Sequence, residues 1–200
     1  MLAQQPSLFG REAPGIASPL SRAQRTQLDE DSWIDRLPGW VRGHERLFEH
    51  LAEHVEWHAC KREMYERIVD VPRLFATVPE DGHHPLFDQM AAELSRRYGR
   101  ELSHITLALY RHGGDSVAWH RDREMRTLDD SIVAIASLGN PRRFGLRPAG
   151  GGRAAYITVG WGDLVVMGGA CRRDWEHGVP KARHAEPRMA LMFRHGASSG

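Results

Sequence analysis

From Ser103 to the end of the chain, apolar and β-branched residues come in short runs cut by glycine: SHITLALY, SIVAIASLG, AYITVG, DLVVMGG and RMALMFR. Runs of this length suit strands rather than helices, and the GG, GN, PAGGG and WGD segments between them supply turn residues. Many short strands fold as an antiparallel barrel or a double-sheet jelly roll, each sheet burying one face. Residues 103–197 are therefore expected to form an all-β core.

The upstream chain obeys a different grammar. Between Glu45 and Trp57 the residues Leu47, Leu51 and Val55, with Phe48 beside them, recur at helical spacing. After Pro85 the same holds for Phe87, Met90, Ala91 and Leu94, and Gly99 is placed to stop that helix. Between the two, Met64 to Val71 reads as strands around a turn, with Pro72 and Pro79 interrupting the stretch beyond it. The expectation is an α+β fold: a jelly-roll core with N-terminal helices packed on one face, and a surface flap within residues 31–102. Residues 1–30, rich in Gln, Ser, Pro and Gly, read as a flexible arm outside this single domain.

At 200 residues the chain can bury a real core, roughly 70% of its unfolded surface at this size. No apolar stretch approaches the ~20 residues of a membrane span, and the opening MLAQQPSLFGREAPG is unlike a secretory signal, so a cytoplasmic monomer with no membrane association is expected. Cys60 and Cys171 lack CxxC spacing, which fits neither a disulfide framework nor a structural zinc site. Lys plus Arg (27) nearly cancels Asp plus Glu (26), so any nucleic-acid footprint must be local. Arginine does cluster, at Arg121, Arg123 and Arg126, at Arg142, Arg143 and Arg147, and at Arg172 and Arg173.

The chemistry-bearing residues lie in the β-rich half. His120 and Asp122 stand two apart in WHRD, and in an extended segment both project to one side, where they can address one ion. His177 in DWEHGVP is the best third ligand, because two imidazoles and one carboxylate make the facial triad of non-haem Fe(II) oxygenases. Arg188 and Arg194 stand six apart in RMALMFR, an even offset that puts both guanidinium groups opposite Met189, Leu191 and Phe193. An arginine inside a β core needs a partner, and a dicarboxylate supplies bidentate ones.

In order and spacing, LYRHGGDSVAWHRDRE, SLGNPRRFGLRP, GDLVVMGG, WEHGVPK and PRMALMFR resemble the AlkB family of DNA and RNA dealkylating dioxygenases, over about Met64 to His195. The resemblance implies Fe(II), 2-oxoglutarate and O2 as cofactors. It makes His120, Asp122 and His177 the metal ligands and catalytic centre, and Tyr110, Arg188 and Arg194 the contacts to 2-oxoglutarate. It also implies that Glu124, Trp119, and Met64 and Tyr65 in a nucleotide-recognition flap touch the substrate base. The implied reaction hydroxylates an N-alkyl carbon, which then leaves as aldehyde, on N1-methyladenine or N3-methylcytosine in alkylated DNA or RNA. Two positions depart from the family: Ala108 and Ala190 stand where asparagines contact the cosubstrate, which predicts weakened binding. An oxygenase of the same chemistry acting on a protein or small molecule, and a silent nucleic-acid-binding module, are the rival readings.

Overall fold

A computed structural model of the protein describes residues 12–64, 67–78, 83–121 and 131–195. Its strands before the glycine-punctuated half are β1 (Gly15–Ile16), β2 (Gln24–Gln27), β3 (Ser32–Leu37), β4 (Val41–Arg42), β5 (His58–Met64) and β6 (Arg67–Thr77). Those after it are β7 (His104–Tyr110), β8 (Val117–His120), β9 (Val133–Gly139), β10 (Arg142–Pro148), β11 (Ala155–Val159), β12 (Leu164–Gly169), β13 (Trp175–Val179) and β14 (Arg188–Arg194). Helix α1 spans His44–His54, α2 spans Leu86–Tyr98, and the one-turn α3 spans Cys171–Asp174.

The strands form an eight-stranded sheet in the order β2-β3-β12-β9-β14-β7-β6-β5, a four-stranded sheet in the order β11-β10-β13-β8, and a small β1-β4 pair. Among the described residues, the strand pairs of the two larger sheets are all antiparallel. Strand alternation then sorts the core into two layers. Met189, Leu191 and Phe193 of β14 join Leu107 and Leu109 of β7 in a cluster with Leu47, Phe48 and Leu51 of α1 and Phe87, Met90 and Leu94 of α2. The intervening Ala190 and Met192 join Ala108 and Tyr110 in a second cluster, with Phe144, Leu146 and Val179 of the four-stranded sheet. The two sheets thus face each other across the second cluster, which is the double-sheet arrangement the short glycine-bounded runs predict.

Helix α2 starts and stops where its sequence says. Pro85 occupies the N-cap, and Gly99 takes φ 65° at the C-cap, a left-handed conformation that a residue without Cβ adopts freely. Helix α1 ends at His54, before Val55 and Trp57, whose expected inclusion is corrected by extended backbone at Val55.

The N-terminal reading needs a larger correction. Within residues 1–30, read as a flexible arm, Gln24–Gln27 form a strand paired with β3, and β3 pairs along its whole length with β12. The segment SWIDRL escaped detection because it places a charge inside a strand. Asp35 is buried, a state that is costly unless the carboxylate is fully partnered. Arg25 supplies two N–H donors at 2.7 and 2.8 Å, and Tyr98 a hydroxyl at 3.0 Å. β5 and β6 form the antiparallel hairpin at the other end of this sheet.

Candidate active site

β8 and β13 are neighbours in the four-stranded sheet, with His120 directly opposite His177. Both side chains point between the sheets, their ring centres 4.3 Å apart, and the Phe144 ring stacks on His177 at 5.8 Å. His120 Nδ1 lies 2.9 Å from the Ala118 carbonyl. A carbonyl only accepts, so Nδ1 carries the hydrogen and Nε2 keeps the lone pair, the orientation in which imidazole serves as a metal ligand. Asp122 and Glu124 lie outside the described residues, as does Tyr65.

Across the cavity, β14 and β7 pair so that Arg188 faces Tyr110. The Arg188 guanidinium carbon is 5.3 Å from the Tyr110 ring centre, and one Nη donates to Ser137 Oγ at 2.7 Å. Arg188 is buried, and its Nε and other Nη find no hydrogen-bond partner among the described residues. Burial pulls its pKa below the ordinary arginine value, with Tyr110 opposing that pull. A buried cation with donors to spare is a receptor for an anion. The carboxylate of a diacid fits it.

At the far end of β14, Arg194 donates to Thr106 Oγ1 at 2.6 Å and contacts Met192 Sδ at 3.4 Å. Arg188, Arg194, Tyr110, His120 and His177 all line one cavity of about 400 Å³. Ala108 and Ala190, the two departures, are direct cross-strand neighbours and line it as well. Their methyl groups make one continuous apolar stretch of wall between the two arginines.

Trp119 corrects an expectation. Next to His120 on β8, it projects to the opposite face, where its ring leans over Gly145 and lies 6.1 Å from Tyr156. It does not line the cavity. Met64 ends β5, paired with Arg67 at the hairpin, and the same hairpin reaches the cavity wall through Arg73, Phe75 and Thr77 of β6.

The structure also gives separate places to the arginines that the sequence shows only as clusters. Arg172 is buried and lines the cavity, whereas Arg173 beside it is paired outside with Asp174 at 2.9 Å. Arg142 is likewise buried, its guanidinium donating to the carbonyls of His112, Asp115 and Pro180. Strand parity turns Arg142 inward and Arg143 outward on β10, and the single turn of α3 separates Arg172 from Arg173 in the same way. Ser137 and Phe144 carried no signal, because each acts only through a partner from another strand. Cys171 is buried, and burial pushes its thiol up to about 12, so it stays protonated and inert.

A cavity between two antiparallel sheets, with a histidine pair on one wall and a buried arginine on the other, is the arrangement of a 2-oxo-acid-dependent oxygenase. Residues 28–196 match the model of the 2OG-Fe(II) oxygenase superfamily. The chain belongs to that superfamily, and AlkB homologues are among the proteins it is similar to. It is 31% identical over 182 residues to the bovine alpha-ketoglutarate-dependent dioxygenase alkB homolog 3, covering 78% of this chain and 64% of that protein. With the human alkB homolog 3 it shares 34% over 126 residues, 58% of this chain and 44% of that protein. With the Arabidopsis thaliana DNA oxidative demethylase ALKBH2 it shares 25% over 190 residues, 74% of this chain and 60% of that protein. The chain therefore spans less than two thirds of each of these relatives.

Solved structures agree on the fold. OsALKBH1 superposes with a TM-score of 0.59 at 13% identity, covering 86% of this chain and all of that one. A prolyl hydroxylase from Trichoplax adhaerens superposes with a TM-score of 0.52 at 14% identity, covering 75% and 74%.

Proposed function

We propose that the chain removes alkyl groups oxidatively from N-alkylated bases in nucleic acid, N1-methyladenine and N3-methylcytosine being the preferred substrates. The observation that carries this reading is the buried Arg188 with unused donors, set in the same cavity as the His120–His177 pair. His120, Asp122 and His177 hold Fe(II). Arg188, with Tyr110 beside it, takes one carboxylate of 2-oxoglutarate, and Arg194 serves the other carboxylate region. Bound together, iron and 2-oxoglutarate supply the oxidising equivalents that turn an N-alkyl C–H into C–OH, with O2 consumed and succinate and CO2 released.

The chain's own residues do the rest. The His120 Nδ1 contact with Ala118 fixes which ring nitrogen faces the cavity. Phe144, Val133 and Ile135 supply apolar wall to the cavity that the imidazoles share. Glu124 accepts from the exocyclic amine of the extruded base, which it holds most readily when alkylation has made the base cationic. Met64 and Tyr65 cap that base from the β5–β6 hairpin. This flap role is supported by the hairpin's own contribution to the cavity wall. The relatives' own activities, a dioxygenase and a DNA oxidative demethylase, are of the same kind.

The test incubates the protein with Fe(II), ascorbate, 2-oxoglutarate and a methylated oligonucleotide, and follows succinate and oligonucleotide mass. Loss of the methyl mass matched by succinate supports the reading. Succinate without a mass change redirects it to another substrate, and neither signal from folded protein indicates a silent binding module.

A further inference from the structure

The four-stranded sheet has two faces, and only the inner one serves the cavity. On the outer face, register places Gly145 of β10 between Tyr156 of β11 and Gly178 of β13. A Cβ at Gly145 would lie 2.5 Å from the Trp119 ring and 2.9 Å from the Tyr156 ring. Both rings therefore lie over a sheet centre that has no side chains of its own. The Arg143 guanidinium carbon sits 3.9 Å from the Tyr156 ring centre, and that of Arg147 sits 4.5 Å from the Trp119 ring centre. The result is one row across the sheet: Arg143, Tyr156, Trp119, Arg147.

A guanidinium stacked on a ring keeps its in-plane N–H donors for an oxygen acceptor. Arg147 turns two of its nitrogens, Nε and one Nη, to Glu176 Oε2 at 2.7 Å, and Glu176 is the single acid carried by these four strands. Arg143 is exposed and has no hydrogen bond or ion pair among the described residues. Tyr156, on the edge strand β11, is 42% exposed. Lys181 adds a further positive charge, lining a shallow groove beside Trp119 and Gly178.

We propose that this outer face docks the single-stranded nucleic-acid segment flanking the target base, an inference that rests on the nucleic-acid reading above. A polynucleotide offers both features the face answers: flat π surfaces for the rings and phosphates for the arginines. A duplex hides its base faces within the stack and has only its phosphates to offer. The geometry connects the two sites, since β8 is the edge strand of this sheet and Trp119 and His120 are consecutive residues on it. A strand lying on the outer face needs to round only that edge to reach the cavity.

The test uses the full chain and a labelled single-stranded oligonucleotide, comparing the natural protein with an Arg143→Gln, Tyr156→Leu double variant whose folding is checked by thermal melting. Leucine retains apolar cover over Gly145. The expected result is about tenfold weaker single-strand binding, from the loss of one stacking contact. The log–log salt slope should also become shallower by about 0.7, from the loss of one phosphate contact. KM for a long methylated oligonucleotide should rise in parallel, while turnover of a methylated trinucleotide stays unchanged. Unchanged affinity and salt slope in the folded variant would overturn the proposal, as would equal weakening for a duplex or an acidic peptide. If the natural protein removes no methyl group but the variant still loses single-strand binding, the catalytic reading fails and the docking face stands. If demethylation proceeds and the variant handles long oligonucleotides like the natural protein, the docking face alone fails.

Discussion

Arg188 and Tyr110 sit opposite each other in the β14–β7 register, the guanidinium carbon 5.3 Å from the phenol ring centre, with two guanidinium nitrogens left without hydrogen-bond partners among the described residues. A buried cation so placed costs stability in the free protein and returns it when an anion binds. Arg188→Met is therefore expected to raise the denaturant midpoint of the ligand-free protein. The same variant should lower 2-oxoglutarate affinity by at least tenfold, because a charge-assisted contact is worth roughly 1.5–3 kcal/mol. Chemical denaturation and calorimetry on one preparation check both directions.

The Ala108–Ala190 pair makes a second prediction about the same wall. These residues are in direct cross-strand register and both line the cavity. Restoring a hydrogen-bonding amide at either position should tighten 2-oxoglutarate binding about two- to tenfold, the effect of one neutral hydrogen bond. Because the two sites touch, the Ala108→Asn, Ala190→Asn double variant should be non-additive. Titration of all three variants against the natural protein measures it.

Much of this site was legible before any coordinates, for a physical reason. Strand parity is local, so the even offset between Arg188 and Arg194 puts both on the face opposite Met189, Leu191 and Phe193, and α2 is bounded by Pro85 and Gly99. What escaped depends on partners distant in sequence. Asp35 is held by Arg25 and Tyr98, which arrive from β2 and α2. The resemblance puts Trp119 at the substrate, although strand alternation turns it to the other face. Arg172 and Arg142 read as surface cations because nothing local marks a buried guanidinium.

Gly145 is held by close approach rather than by backbone conformation. Gly145→Val pushes its side chain into the Trp119 and Tyr156 rings, an overpacking that should cost about 1–3 kcal/mol. In a Trp119→Ala background the cost should shrink, since one of the two clashes is gone. A double-mutant cycle in urea gives the coupling.

Asp115 contributes to the acid limb of stability. Its burial favours the neutral acid, but the side-chain and backbone hydrogen bonds from Arg111 prevail and hold its pKa below the usual carboxylate value. A depressed folded pKa means that its contribution is complete above about pH 4, near the unfolded value. That contribution is lost as pH falls through the folded pKa. Asp115→Asn should lower stability at neutral pH by about 2 kcal/mol and flatten the slope of stability against pH below about pH 4. Urea midpoints measured across that range test the sign.

The most direct test of the central claim is a calorimetric titration of 2-oxoglutarate into Mn(II)-loaded protein, with Mn(II) standing in for Fe(II) so that no turnover occurs. The account predicts saturable one-to-one binding that falls at least tenfold in Arg188→Met, together with loss of Mn(II) binding in His177→Ala. Undiminished 2-oxoglutarate binding in folded Arg188→Met, or full Mn(II) binding in folded His177→Ala, would contradict it.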